Sequence, residues 1–446
     1  MRDIANPYAS LDKYLGIVRG LGIEVVESPT PLAREYEAAR FIKKHDRKTI
    51  VLFKLRDSGD IVAANLIPSR TALYKVLGVE SDKEAYKRLS EAQAKPGSLV
   101  EEDFGAWFRR EMGGAEKLPF LRFYEMDGGY YLTSAVFIAC LHGVCNASIH
   151  RVMAAAREWG NIDYLAVRVV PRHLYRMLSE SPQGLPVALV IGADPRLHLA
   201  SATSPPYGFF ELHVAARLLG GELRVCHTPL HGLPVPCGAT MVVEARLGPE
   251  RRPEGPFTDL LQLYDRRREE PVLRIEAVYR NKASKALHQI LPGGMEHMLL
   301  MGFPREAAIY DAVAKVVTAV RKVRLTPGGG MWLHAVVSIE KLHDGDGKTA
   351  GFAALAAHPS LKHVVVVDGD IDPDNPWEVE WAIATRLKAD RGIVVVPYAR
   401  GSTLDPSACN GITSKVIVDA TITVDRECGV GKEAYRKPRI PGEEAG

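Results

Sequence analysis

In CNASIHRVM, residues 145–153, an amide, a hydroxyl and a guanidinium fall within six residues, at Asn146, Ser148 and Arg151. A guanidinium keeps its charge at any working pH and its fork matches a carboxylate. In RPEGPFTD, Glu254 and Asp259 flank a Gly-Pro turn that draws two carboxylates together without a helix. Such pairs can hold different proton affinities, one kept protonated as a donor; read alone, the same pair is a solvated loop. His173 in VVPRHLYRM follows a strand and Glu211 opens a helix. With Asn146 they offer nitrogen and oxygen ligands for a divalent ion, although residues this scattered seldom meet. Lys415 in NGITSKVIVDA precedes a strand, where a lone lysine is ordinarily a surface residue.

Two other stretches fail their first reading. VVDGDIDPDNPWEVEW alternates Asp368, Asp370, Asp372 and Asp374, but counted from Asp370 the sixth position is Asn375 and the twelfth Trp381. A calcium loop needs Gly and Glu there. An acidic turn fits better, with Asn375 or Asp374 capping a helix whose first residue is Pro376. PGGGM, residues 327–331, lacks phosphate-loop spacing and is expected as a turn between a helix and a strand.

The elements that must position these residues follow from periodicity. The first hundred residues alternate the strand TIVLFKL with the charged helix SDKEAYKRLSEAQAK, which Pro96-Gly97 ends. From about Phe120 to Pro292 short β-branched runs dominate: YYLTSAVFIA, YLAVRVV, PVALVIGA, ELRVCHT, ATMVVEARL and VLRIEAVYR. Two helices are expected among them, SIHRVMAAAREWG and FFELHVAARLLGG. In the first, Ile149, Val152, Met153, Ala156 and Trp159 make an apolar stripe, and Ser148 sits near its cap, a helix start that favours an anionic phosphate. After LPGGMEH, the helix AAIYDAVAKVVTAVRKV opens a third region of apolar strands between helices, the pattern of a parallel sheet covered on both faces. Residues 435–446 are expected as a loose tail. The expected fold class is α/β and β multidomain, with boundaries at 1–108, 109–300 and 301–446.

Bulk properties narrow the function classes. The 446 residues carry 57 basic and 54 acidic side chains, a net charge of +3, which is no footprint for nucleic acid. No apolar run of membrane-spanning length occurs, and the N-terminus has no apolar secretory core. Six cysteines without a CxxC pair argue against zinc or a disulfide framework. The expectation is a cytoplasmic chain with reduced thiols, in which Asn146 is no glycan acceptor.

Taken in order, these pieces resemble the UbiD-type decarboxylases over about residues 100 to 425. NASIHR is similar to the family's Asn-x-Ser/Thr-x-x-Arg motif. Arg172-His173 resembles its histidine dipeptide, with Arg172 where glutamine is common. FELHVAARLLGG is similar to its glutamate helix, EGPFTD to its Glu-Gly-Pro-Phe/Tyr-x-Glu/Asp signature, and the Asp368 block and Ser414-Lys415 to its C-terminal motifs. The resemblance implies an N-terminal α/β domain, a central split β-barrel that binds prenylated FMN, and a C-terminal α/β domain. It implies a flavin lined by Asn146, Ala147, Ser148, Ile149, His150, Arg151, Arg172, His173, Glu211 and Lys415. A divalent ion, typically manganese with potassium nearby, would sit on Asn146, His173 and Glu211. Arg151, Glu254 and Asp259 would be the catalytic trio, Asp259 giving the proton provided burial keeps it protonated.

A flavin prenyltransferase would supply the cofactor, and the chain would form a dimer or hexamer. The resemblance is greatest to archaeal members that make isopentenyl phosphate from trans-anhydromevalonate 5-phosphate. That substrate's phosphate needs a basic group, for which Arg280, Lys282, Lys285 and His288 are candidates, or a plain basic surface. Other readings are an aromatic-acid decarboxylase, with 4-hydroxybenzoate leading, and a non-catalytic flavin-binding protein. A metal phosphohydrolase would want clustered Asp and His ligands that the sequence lacks.

Overall fold

The computed structural model describes residues 4–170, 172–203, 205–424, 432–435 and 438. Of the expected tail, all but Tyr435 and Pro438 lie outside the described residues. The chain is α/β and divides into two compact units, Met1–Pro304 and Arg305–Gly446.

At the centre of the first unit is a nine-stranded sheet. Its order is Tyr130–Leu132, Val152–Ala155, Tyr164–Val167, Arg268–Asn281, Met241–Glu254, Leu185–Ile191, Val136–Leu141 and Val144–Ile149, with Phe108–Glu111 paired to Arg268–Asn281. The two ends of this order are halves of one bent hairpin. Tyr130 to Leu132 pair with Ala154 to Val152, and Val136 to Leu141 pair with Ile149 to Val144. Between the halves, residues 133–135 and His150-Arg151 leave the ladder, and His150 N donates to Ala135 O at 3.3 Å. The sheet therefore curls back towards its own start, with the split at Arg151. No ring of strand pairs closes among the described residues. Phe137, Leu189, Val243 and Val278 fill the core that it wraps, as inward residues of alternating strands must. A smaller sheet, Val25–Glu27, Ile50–Lys54, Ile61–Ala64 and Leu287–His288, lies in the same unit.

The second unit is a sheet in the order Ala319–Leu325, His334–Glu340, His363–Asp368, Ile412–Ala420, Ile393–Arg400. Its three middle strands are parallel, as expected, but both edge strands run antiparallel. Asn375 caps the helix Pro376–Arg386 through Trp377 N at 3.1 Å, with Pro376 in its first turn. PGGGM is a turn, but one between two antiparallel strands.

Three sequence readings are corrected. The stretch expected as the helix SIHRVMAAAREWG is the strands Val144–Ile149 and Val152–Ala155. Asn146, Ser148 and His150 alternate with Ala147 and Ile149, a period of two, and the apolar run 152–155 fits a buried strand as well as a helix face. No helix starts at Ser148, so the phosphate-binding helix end expected there is absent. Likewise the helix expected to reach Val323 stops at Val313, and Ala319–Leu325 is a strand, because its valines favour the pleat.

The third correction concerns the thiols. Cys140 is bonded to Cys145 and Cys226 to Cys237, while Cys409 is free. Cys140 faces Cys145 directly across its ladder, and Cys226 faces Val235, two residues before Cys237. Among the described residues no helix is long and apolar enough to cross a membrane.

Candidate functional site

The strand Val144–Ile149 builds the first half of the site. Its pleat sends Asn146, Ser148 and His150 to one side. The Ser148 hydroxyl lies 2.9 Å from both Asn146 Oδ1 and His150 Nε2, and His150 Nδ1 is 3.1 Å from Arg168 O. Burial pushes the His150 imidazole down to about 4, so it is neutral at pH 7, with Nδ1–H donating to the Arg168 carbonyl.

Two helices deliver the other expected ligands, each at its first residue: His173–Ser179 and Glu211–Leu218. Asn146 Nδ2 donates to Glu211 Oε1 at 2.9 Å, Ala147 N donates to Glu211 Oε2 at 2.7 Å, and His173 Nδ1 is 4.0 Å from Glu211 Oε1. Residues 146, 173 and 211 therefore do meet. Glu211 is 2% exposed, and the Asn146 amide and Ala147 N–H that donate to it are neutral. Burial pushes its carboxyl up to about 7, as expected of a carboxylate whose charge is uncompensated. Burial first, then Arg172 and Arg176, lower the His173 imidazole and leave its lone pair available at neutral pH. A buried carboxylate, an amide and a neutral imidazole are a donor set that fits a divalent cation. Among the described residues there is no group of three or more His, Cys, Asp or Glu suited to a metal; here an asparagine stands for one of them.

The second half of the site is Arg151, in the split of the hairpin. Its Nε and Nη2 donate to the two oxygens of Glu254, both at 2.9 Å, and Nη1 donates to Asp259 Oδ2 at 2.7 Å. The guanidinium also lies 4.4 Å over the Phe257 ring. These carboxylates hold Arg151 well above the ordinary arginine range despite its burial. The trio expected from EGPFTD is thus one contact group.

The loop bearing Glu254 and Asp259 is fixed by its neighbours. Gly255-Pro256 is cis, Gly128 N donates to Pro256 O at 2.9 Å, and Tyr131 Oη donates to the same carbonyl at 3.2 Å. A Cβ on Gly128 would meet the Gly255 carbonyl oxygen at 2.2 Å, so only glycine allows this approach. Gly128→Ala is expected to destabilise the protein by about 1–3 kcal/mol through overpacking. It should also lower turnover more than substrate affinity, by moving Glu254 and Asp259. Urea denaturation beside steady-state kinetics checks both.

The remaining expected residues are placed as follows. Arg172 immediately precedes the His173 helix. Lys415 belongs to the second unit, where it is buried rather than exposed and donates to Pro359 O at 2.6 Å. Arg280 is committed to Asp60 and Glu111, Lys282 donates to Gly105 O, and His288 is fully buried against Glu296. Lys285 N binds Asp12. These four make no open basic cluster.

Two residues escaped the sequence reading. Asp265 Oδ2 accepts from Arg151 Nη2 at 3.1 Å. His297, on the helix Met295–Val313, is lowered by burial and senses both Asp259 and Arg151. The sequence signal for Asp265 is its place in YDRR at the end of a short hairpin, which pairs it with Phe257.

Against known proteins, residues 111–295 match the 3-octaprenyl-4-hydroxybenzoate carboxy-lyase Rift-related domain and residues 298–420 the C-terminal domain of the same family. The chain is 49% identical over 438 residues to the anhydromevalonate phosphate decarboxylase of Aeropyrum pernix, covering 97% of this chain and 96% of that one. It is similar in structure to a UbiD-class enzyme from Pelotomaculum thermopropionicum in complex with FMN, with a TM-score of 0.88, 33% identity and 97% of each chain covered. An evolved dimeric form of that enzyme in complex with prFMN gives a TM-score of 0.85 at 30% identity, again over 97% of each chain.

Proposed function

The chain belongs to the UbiD family of carboxy-lyases, and on that premise we propose that it decarboxylates trans-anhydromevalonate 5-phosphate to isopentenyl phosphate. The observation that carries this reading is the Arg151 guanidinium, set in the hairpin split against Glu254 and Asp259. The support from similarity is the 49% identity to a relative named for that acid.

Loss of carbon dioxide from an unsaturated acid leaves an electron pair on a carbon that cannot hold it, and bound prenylated FMN supplies the sink that no side chain offers. Residues 146–151, Arg172, His173 and Glu211 would hold that flavin in the curled sheet, which we take as the split barrel. Asn146, His173 and Glu211 would hold the divalent ion, manganese on this reading, with potassium nearby.

The chain's own groups then divide the work. Arg151 receives the substrate carboxylate on its Nη1 side, because Glu254 occupies the Nε and Nη2 edge. Glu254, 0% exposed, keeps the guanidinium aimed. Carbon dioxide departs without the bonding pair, and Asp259 gives its proton to the carbon that keeps the pair. His150, neutral by burial, lends a hydrogen-bonding edge beside Ser148 without adding charge. In the cell the chain would work in the cytoplasm as a homo-oligomer, loaded by a flavin prenyltransferase.

The test is protein co-produced with a flavin prenyltransferase and incubated with trans-anhydromevalonate 5-phosphate or with 4-hydroxybenzoate. Carbon dioxide and isopentenyl phosphate are expected from the first acid only. Turnover of 4-hydroxybenzoate with no isopentenyl phosphate would overturn the reading.

A further inference from the structure

Arg151 touches a third carboxylate that the proposed chemistry leaves unused. Asp265 lies on the strand Tyr264–Asp265, which pairs with Phe257–Thr258 so that Asp265 faces Phe257. Its Oδ2 accepts from Arg151 Nη2 at 3.1 Å and also from Arg268 Nη1, while its Oδ1 accepts from Arg266 N at 3.0 Å. Arg268 stands opposite Glu254 in the ladder of the long strands. Two strand pairings therefore place Asp265 and Arg268 beside Arg151.

The guanidinium's hydrogens show what this contact does. An arginine has five N–H donors. Nε–H and one Nη2–H go to Glu254, and the other Nη2–H goes to Asp265. Only Nη1 remains for Asp259 and an incoming carboxylate. Asp259 is also the most exposed of the three carboxylates, with 18% side-chain exposure against 0% for Glu254 and 5% for Asp265. The charges sort the same way. Arg151 is gripped on two atoms by Glu254 and Arg268 balances Asp265, so Asp259 shares a single Nη1 contact with Arg151 and holds no second cation among the described residues.

We propose that Asp265, held by Arg268, is a positioning residue that keeps Arg151 aimed while Asp259 leaves it to deliver its proton. This rests on Asp259 being the proton donor in the proposed reaction. The charged and titratable groups around Asp259 are Arg151 on the hairpin, Glu254 on the long strand, Asp265 and Arg268 on the short hairpin and its continuation, and His297 on the helix behind. Tyr131 lies beside Glu254.

The test compares Asp265→Asn with Arg268→Gln in the flavin-loaded enzyme across pH. Removing the negative charge of Asp265 makes a nearby acid give up its proton more readily, so the alkaline limb of kcat moves to lower pH by about one unit. Removing the positive charge of Arg268 moves that limb the other way. Asp265→Glu should recover most of the kcat that Asp265→Asn loses. Two limbs that stay put, or that move together, would overturn the proposal.

A second measurement stands apart from turnover, so that failure of the substrate reading is distinguishable. In crystals of Asp259→Asn the guanidinium should stay within about 0.5 Å of its place, whereas in Asp259→Asn combined with Asp265→Asn it should leave the Glu254 fork. Displacement already in Asp259→Asn refutes the role of Asp265, whichever acid the enzyme uses.

Discussion

Arg151→Lys is expected to lower kcat/KM for the acid by about a thousandfold, equivalent to about 4 kcal/mol of transition-state stabilisation. Lysine keeps the charge but presents a point donor where Arg151 uses a fork. The two bonds to Glu254, both 2.9 Å, and those to Asp259 and Asp265 cannot all be remade by one ammonium. Arg151→Ala adds a folding defect, because it leaves buried carboxylates without their cation. Breaking such a pair from one side costs about 3–5 kcal/mol. Steady-state kinetics and urea denaturation separate the two effects. Activity of Arg151→Lys within tenfold of the parent would mean that the guanidinium does not receive the substrate.

The second large effect concerns Glu211. Its carboxyl is raised from 4.5 to about 7 by burial. Between those values the native metal-free protein binds more protons than the unfolded chain, so stability is present below about pH 4.5 and falls as pH rises towards 7. A shift of this size corresponds to about 3 kcal/mol. Glu211→Gln keeps the shape, removes that slope, and should melt higher than the parent at pH 8 in chelator.

Added manganese should reverse the order, since only the parent gains from binding. The gain is about 2.7 kcal/mol at a hundredfold excess over Kd. Manganese affinity of the parent should also rise with pH, because the ion must displace a proton from Glu211. Melting curves with chelator and with manganese at pH 6, 7 and 8 check all three points. Equal manganese stabilisation of both proteins would remove Glu211 from the ligand set.

Much of this arrangement is legible in the residues, and the misses have physical causes. HVVVVDGD, PWEVEWAIATRL and the Glu211 helix announce themselves by apolar runs and caps, which are local properties. That Asn146, His173 and Glu211 meet is not local; it depends on a strand and two helices packing together. Residues 149–159 satisfy a helical stripe at five apolar positions although Val152–Ala155 folds as a strand, while the stricter alternation of Asn146, Ser148 and His150 overlaps only the start of that stripe. Asp265 was hidden for a related reason. Only the hairpin register, with Asp265 opposite Phe257, shows that it returns to Arg151. Cys140 and Cys145 stand symmetrically about His142-Gly143, both with positive φ, a two-residue turn signal that spacing rules for metal sites pass over.

That closed turn has a bearing on fidelity. A strand that slips by one residue sends every side chain to the opposite face. In Val144–Ile149 such a slip would swing Asn146, Ser148 and His150 away from Glu211 and present Ala147 and Ile149 instead. A bond across so short a loop removes little chain entropy. What it does is forbid the alternative pairing, since Cys140 can face only Cys145 while the bond is intact. The disulfide thus acts as a proofreading device for the strand that carries the ligands, and its reduction should be felt as heterogeneity in cofactor loading before any fall in melting temperature.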